Sequence, residues 1–199
     1  MRTRNNLEYS FMDHIKEDLQ KMYKALKKLR KDWDFTYFDG EIYNPDIPFE
    51  EISGKSRIKK PKKDDLKIIA SLKLYLFDMF SLKDLDEPFS KRYALLHHLF
   101  QIVKPKHLVL VKNQIINKPK DICAIFDKYM AEGYEGIMVR NQKASYKSSE
   151  SGLLFGAIVF LRSRAFERRA QKSKRLKPAM FYVGSTIPNF NDNNDIDDW

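Results

Sequence analysis

A single cysteine, Cys123, stands among the 199 residues, so neither an intramolecular disulfide nor a cysteine-rich zinc site can form within them. Histidine is scarce as well. His14, His97, His98 and His107 show no metal-ligand spacing, and the adjacent pair His97-His98 points to two sides of a helix. Long apolar runs are missing: the longest, residues 153–161, is about half the length that spans a bilayer. The N-terminal residues are polar and charged, unlike a secretory signal. The expectation is an intracellular protein, nuclear or cytoplasmic, neither secreted nor held in a membrane. Acidic residues are outnumbered, with 27 Asp and Glu against 37 Lys and Arg, a formal charge of +10 and a pI near 9.5. Such a balance favours a polyanionic partner, since each phosphate neutralised by Lys or Arg releases condensed counterions.

What is present is a globular composition, 43% hydrophobic and 32% charged, in a chain long enough for one domain with a sizeable core. Ile15, Leu19, Met22, Tyr23, Leu26 and Leu29 recur at helical spacing and predict an amphipathic helix over residues 11–29, with Ser10 and Asp13 placed as a capping box. Asn44-Pro45-Asp46 signals a turn, and Pro48 opens a short helix that Gly54 is expected to stop. Residues 55–67 hold seven lysines or arginines and little apolar content, which reads as a solvated basic loop. Strands are expected at 74–80 and 108–111, and a helix at 90–100 with Ser90 as its N-cap. A further helix opens at Pro119 and closes at Gly133, followed by a strand over 137–139. Short helices mixed with strands in no regular alternation, and no internal repeat, indicate an α+β fold.

Three segments carry chemistry. They are Phe38-Asp39-Gly40-Glu41-Ile42-Tyr43, Leu74-Tyr75-Leu76-Phe77-Asp78-Met79-Phe80 and Glu132-Gly133-Tyr134-Glu135-Gly136-Ile137-Met138-Val139-Arg140-Asn141. Each sets a carboxylate or an aromatic ring on or beside a strand-like apolar run, which suits stacking of a base and placement of a metal-bound phosphate. In this order the trio resembles motifs III, IIIa and IV of the covalent nucleotidyltransferases. The wording Glu-Gly-Ile-Met-Val-Arg-Asn is most similar to the ATP-dependent DNA ligases, more so than to RNA ligases or capping-type nucleotidyltransferases.

The resemblance implies an antiparallel-sheet nucleotidyltransferase domain of the ATP-grasp-like ligase type, here incomplete, with its nucleotide cleft between sheets. It implies ATP as AMP donor, Mg2+, and nicked double-stranded DNA as partner of a monomer. By position, Glu135 and Glu41 would hold metal, Glu41 would contact the ribose or a metal-bound water, and Phe77 would stack on the adenine. Thr3-Arg4-Asn5 is similar to a stretch that follows the family's nucleophile motif, so Arg4 would contact phosphate or ribose. Asp39-Gly40 has the composition of a hairpin turn, but the resemblance makes residues 38–43 one continuous strand in which glycine permits close backbone approach.

The chain departs from the family pattern at both ends. The nucleophilic lysine of the family lies in Lys-x-Asp-Gly, and that tetrad does not occur in the 199 residues. After Leu153-Leu154 the sequence runs Phe155-Gly156-Ala157 where the family has a Lys-x-Lys pair. The expected division is a partial adenylation domain over 1–150, a divergent basic segment over 151–185 and an acidic, disordered tail over 186–199. A truncated gene model, a split gene product and a decayed copy all fit. So does a noncatalytic nucleic-acid-binding remnant, with residues 55–67 and the basic run 162–177 as its electrostatic contacts.

The missing tetrad has a direct consequence for this polypeptide. Incubated with labelled ATP and Mg2+, it should show no label after denaturing electrophoresis, because no other lysine is expected in line with the α-phosphorus. A heat-stable band discharged by pyrophosphate would show that another lysine serves as nucleophile.

Overall fold

The computed structural model describes residues 1, 8–34, 36–116, 120–132, 134, 136–146, 158–162 and 182–185. Helix α1 (Asp13–Leu29) forms because Ile15, Met22 and Leu26 fall on one face and are buried, while Asp13 in its first turn and Lys27 and Lys28 in its last complement the helix dipole. The expected Ser10–Asp13 capping box is not made. Met12 occupies the N-cap without a side-chain hydrogen bond, since its own burial in the core fixes the entry of the chain.

Strand β1 (Thr36–Tyr43) confirms the continuous reading of the Asp39-Gly40 region over the hairpin reading. Helices α2 (Phe49–Lys55) and α3 (Lys63–Ser71) follow. Two expectations fail here. Gly54 lies inside α2 and does not stop it, and the basic stretch 55–67 is not one loop, because α3 begins at Lys63. Asp65 explains the missed helix: its carboxylate accepts the Lys62 backbone N–H at 2.8 Å, tying off the first turn, while Ile69 is buried below.

Strand β2 (Lys73–Ser81) leads to α4 (Phe89–Val103). Ser90 is not the N-cap of α4, which is Pro88, and no side chain caps this end. Its first amides are satisfied from a distance, with Phe89 N–H donating to Ala144 O and Ser90 N–H to Gln142 O, both at 2.9 Å. Then come β3 (Leu108–Leu110), β4 (Asn113–Ile116), α5 (Lys120–Ala131), β5 (Gly136–Asn141), β6 (Ile158–Arg162) and β7 (Tyr182–Ser185). The expected helix stop at Gly133 lies outside the described residues, as do the whole of the acidic tail 186–199 and all of the basic run 162–177 but Arg162.

The strands form two sheets, one ordered β1-β2-β3 and the other β4-β7-β5-β6. Both are mixed: β1–β2 and β5–β6 pair antiparallel, whereas β2–β3, β4–β7 and β5–β7 pair parallel. Helices α1 and α4 pack on each other, with α4 also against β2, around a core that includes Trp33, Leu76, Met79, Leu96 and Leu99. A smaller cluster of Ile116, Ile122, Tyr129, Ile137 and Val139 joins α5 to the second sheet. The architecture is α+β. No described helix is long and apolar enough to cross a membrane.

The β1–β2 ladder contains a bulge. Asp39 pairs with Asp78 but Gly40 pairs with Leu76, so Phe77 is the extra residue of β2. Alternation along β1 then puts Phe38, Gly40 and Ile42 on the face that meets the helices, with Leu74, Leu76 and Met79 opposite them. Tyr37, Asp39, Glu41 and Tyr43 take the other face, along with Tyr75, Phe77, Asp78 and Phe80. Without the extra residue, either Phe77 or Asp78 would be turned into the helical core.

Gly40 sits at the bulge for a steric reason. A Cβ there would lie 2.5 Å from the Tyr75 carbonyl oxygen, whereas one at Gly54 would meet nothing within 4 Å. Gly40→Ala should therefore cost about 1–3 kcal/mol by urea unfolding, and Gly54→Ala should stabilise by about 0.4–1 kcal/mol. Equal effects at the two sites would remove the close strand approach as the reason for Gly40.

Candidate functional site

Two of the four residues singled out from sequence fall within the described structure, Glu41 and Phe77; Arg4 and Glu135 lie outside it. Glu41 is exposed and stands across the ladder from Tyr75. Phe77 is half-buried, against the margin of the main core. The bulge gives both side chains the same face of the sheet.

Around Glu41 stands a group of phenols. Tyr43 and Tyr75 meet edge to face with centroids 5.6 Å apart. Burial first, and then the neighbouring phenols of Tyr75 and Tyr134 and the Glu41 carboxylate, push the Tyr43 hydroxyl up to about 12. Tyr9 is also raised, chiefly by burial, with the nearby Arg57 charge opposing and Glu41 reinforcing the shift. Tyr75 is raised by burial and then by Tyr134. These phenols stay protonated and neutral at physiological pH, so they offer hydrogen-bond donors beside the exposed Glu41 carboxylate.

Tyr134 deserves its place in this group for where it comes in the chain. It packs against both hydrophobic clusters and sits between Gly133 and Glu135. Through Tyr134 the third sequence segment reaches the strand pair that carries Glu41 and Phe77.

Among the described residues no three His, Cys, Asp or Glu side chains gather into a metal cage. Mg2+ does not require one, since it keeps several waters and is held by one or two carboxylates together with substrate phosphates. An exposed Glu41 beside an aromatic ring fits that mode of binding and does not fit a closed structural metal site.

Sequence reasoning missed a second group on the same face. Asp78 is fully buried, and its Oδ1 accepts from Arg92 Nε at 2.9 Å and from the Met79 backbone N–H at 2.8 Å. Its Oδ2 accepts from Arg92 Nη2 at 2.9 Å and from Arg140 Nη1. Arg92 Nη1 also donates to the Glu87 and Ala144 carbonyls. The guanidinium of Arg140 lies 4.6 Å from the Phe89 ring centroid, and that of Arg92 5.6 Å from the Tyr146 ring. One carboxylate is thus shared by two cations, and carbonyl dipoles and aromatic faces take up the surplus positive charge. The signal available in the sequence was the charge inside apolar runs: Asp78 interrupts one strand and Arg140 another.

A family model described as "ATP dependent DNA ligase domain" matches residues 2–154. The DNA ligase of African swine fever virus isolate Pig/Kenya/KEN-50/1950 is 28% identical over 148 residues, covering 73% of this chain and 32% of the viral protein. That of isolate Tick/Malawi/Lil 20-1/1983 is 27% identical over 146 residues, with the same coverage. The chain therefore spans about a third of the length of these relatives. Among solved structures, one from work titled "DNA binding with a minimal scaffold: Structure-function analysis of Lig E DNA ligases" superposes with a TM-score of 0.54 at 19% identity. The superposition covers 81% of this chain and 54% of the other, a likeness of fold.

The ion cluster makes its own prediction. Arg92→Met removes the forked partner from a carboxylate buried away from solvent, and urea unfolding should show a loss of about 3–5 kcal/mol. A loss under about 1 kcal/mol would mean that the cluster behaves as a surface pair does.

Proposed function

Because the chain belongs to the family of the ATP dependent DNA ligase domain, we propose that it supplies the nucleotide-holding part of a ligase adenylation domain. The parent reaction forms a ligase adenylate from ATP, passes AMP to the 5′-phosphate of nicked duplex DNA and closes the nick with the adjoining 3′-hydroxyl. The observation that supports this reading most is the shared face of Glu41 and Phe77, with Tyr134, the neighbour of Glu135, near Tyr43 and Tyr75 on the same strands.

In this reading Phe77 stacks on the adenine, a contact that positions a base without selecting it. Glu41 accepts hydrogen bonds from the ribose or from water on the metal, and Glu135 with Glu41 places the cation. Arg4 contributes charge toward phosphate. Mg2+ supplies neutralisation of the charge on the phosphate oxygens. The protein's own part is alignment: the sheet fixes Glu41 and Phe77 on strands rather than loops, which holds the nucleotide in one orientation. DNA is the proposed macromolecular partner, consistent with a formal charge of +10, and a monomer is the proposed state.

Calorimetric titration of the 199-residue chain with ATP, with and without Mg2+, tests the reading. Phe77→Ala should weaken binding about tenfold or more under both conditions, since the stack does not depend on metal. Glu135→Ala should remove mainly the gain that Mg2+ brings. Absence of any nucleotide response in the wild type, or indifference to both substitutions, would favour the noncatalytic nucleic-acid-binding reading.

A further inference from the structure

The segment after β5 is fastened to the first sheet and the start of α4 by more than the ion cluster. The Tyr146 ring stacks on Phe80 with centroids 3.5 Å apart and planes 15° from parallel, and Phe80 stacks in turn on Tyr37 at 5.3 Å. The Tyr146 hydroxyl donates to Asp39 Oδ2 at 3.0 Å, and its backbone N–H donates to Leu85 O at 2.7 Å. Gln142 and Ala144 accept the first amides of α4.

These ties touch the three segments that carry Glu41, Phe77 and Glu135. Asp39 is two residues before Glu41, Asp78 is next to Phe77, and Arg140 is the penultimate residue of the strand that starts directly after Glu135.

We propose that Tyr146, through its hydrogen bond to Asp39, and Arg140, through its ion pair with Asp78, are positioning residues that clasp β5 to β1 and β2 and hold the three strands in the arrangement that binds nucleotide. The proposal rests on the cleft reading given above. Burial, followed by the charge and hydrogen bond of Asp39, pushes the Tyr146 phenol well above its ordinary value, so it remains a donor throughout the neutral range. Loss of the clasp acts on affinity through population. If the strands spend less time correctly placed, the apparent dissociation constant rises by the reciprocal of the competent fraction.

The test compares Tyr146→Phe, Asp39→Leu, their double variant and Asp39→Asn in the 199-residue chain. Two measurements are made on each: ATP affinity with Mg2+ by calorimetry, and amide exchange of residues 39–43 and 136–141 relative to α1. Tyr146→Phe and Asp39→Leu should each weaken ATP about 3- to 10-fold, the worth of one hydrogen bond. The double variant should be no weaker than either single one. Asp39→Asn, which keeps an oxygen acceptor, should bind within about twofold of wild type. Exchange should quicken in both strand segments but not in α1. Unchanged exchange, multiplicative single effects, or quickened exchange with unchanged affinity in a wild type that binds ATP would each overturn the positioning role. A wild type that binds no ATP, with exchange still quickened in both segments, would keep the clasp and overturn the nucleotide reading instead.

Discussion

Burying the Asp78 carboxylate costs several kcal/mol of hydration unless charged donors replace the lost water in full, and its donors come from widely separated parts of the chain. Arg92 reaches it from α4, Arg140 from β5 and the Met79 amide from its own strand. The two arginines bring one positive charge more than Asp78 cancels. The structure balances it with the Glu87 and Ala144 carbonyls and the faces of Phe89 and Tyr146. Those partners require the start of α4, the end of β5 and the residues after it to converge on one point of β2. The relative placement of the two sheets follows from where these charges must meet.

Much of the fold was legible wherever one physical signal acted alone. The 3.6-residue recurrence in α1 and the short apolar runs of β2, β3 and β5 sufficed because burial of one face decides those elements. The helix α3 was not legible, since its sequence is dominated by lysine and its stability comes from a short-range contact, Asp65 to the Lys62 amide, set beneath one buried Ile69. Caps misled in the same way. Ser10 and Ser90 have the chemistry of N-caps, but a buried Met12 and carbonyls more than fifty residues away do the work. Local propensity yields when tertiary contacts satisfy the same amides.

The candidate site was legible as a set of motifs and less so as a surface. Glu41 and Phe77 were identified by their neighbours in sequence, and the strands hold both on one face. The phenols of Tyr43, Tyr75 and Tyr134 carried no motif of their own; their nearness depends on the pairing of β1 with β2 and on the packing of Tyr134 against two clusters. Asp78, Arg92 and Tyr146 were invisible for a different reason. The side chains they bond to lie 14 to 107 residues away, and a charged residue inside an apolar run says only that some partner exists.

The extra residue in β2 changes what it means for another sequence to match this one. On a regular strand, neighbouring positions serve opposite sides, so an aromatic followed by an acid would mark one inward and one outward role. Here the Phe77-Asp78 dipeptide is read from a single side. A homologue that lacks one residue between Leu76 and Met79 would be scored as a conservative gap, yet it would exchange the ring or the carboxylate for a place in the helical core. Comparison across such chains is therefore meaningful only when the dipeptide is aligned as a unit, and the ladder residues on either side of it are counted from the bulge outward.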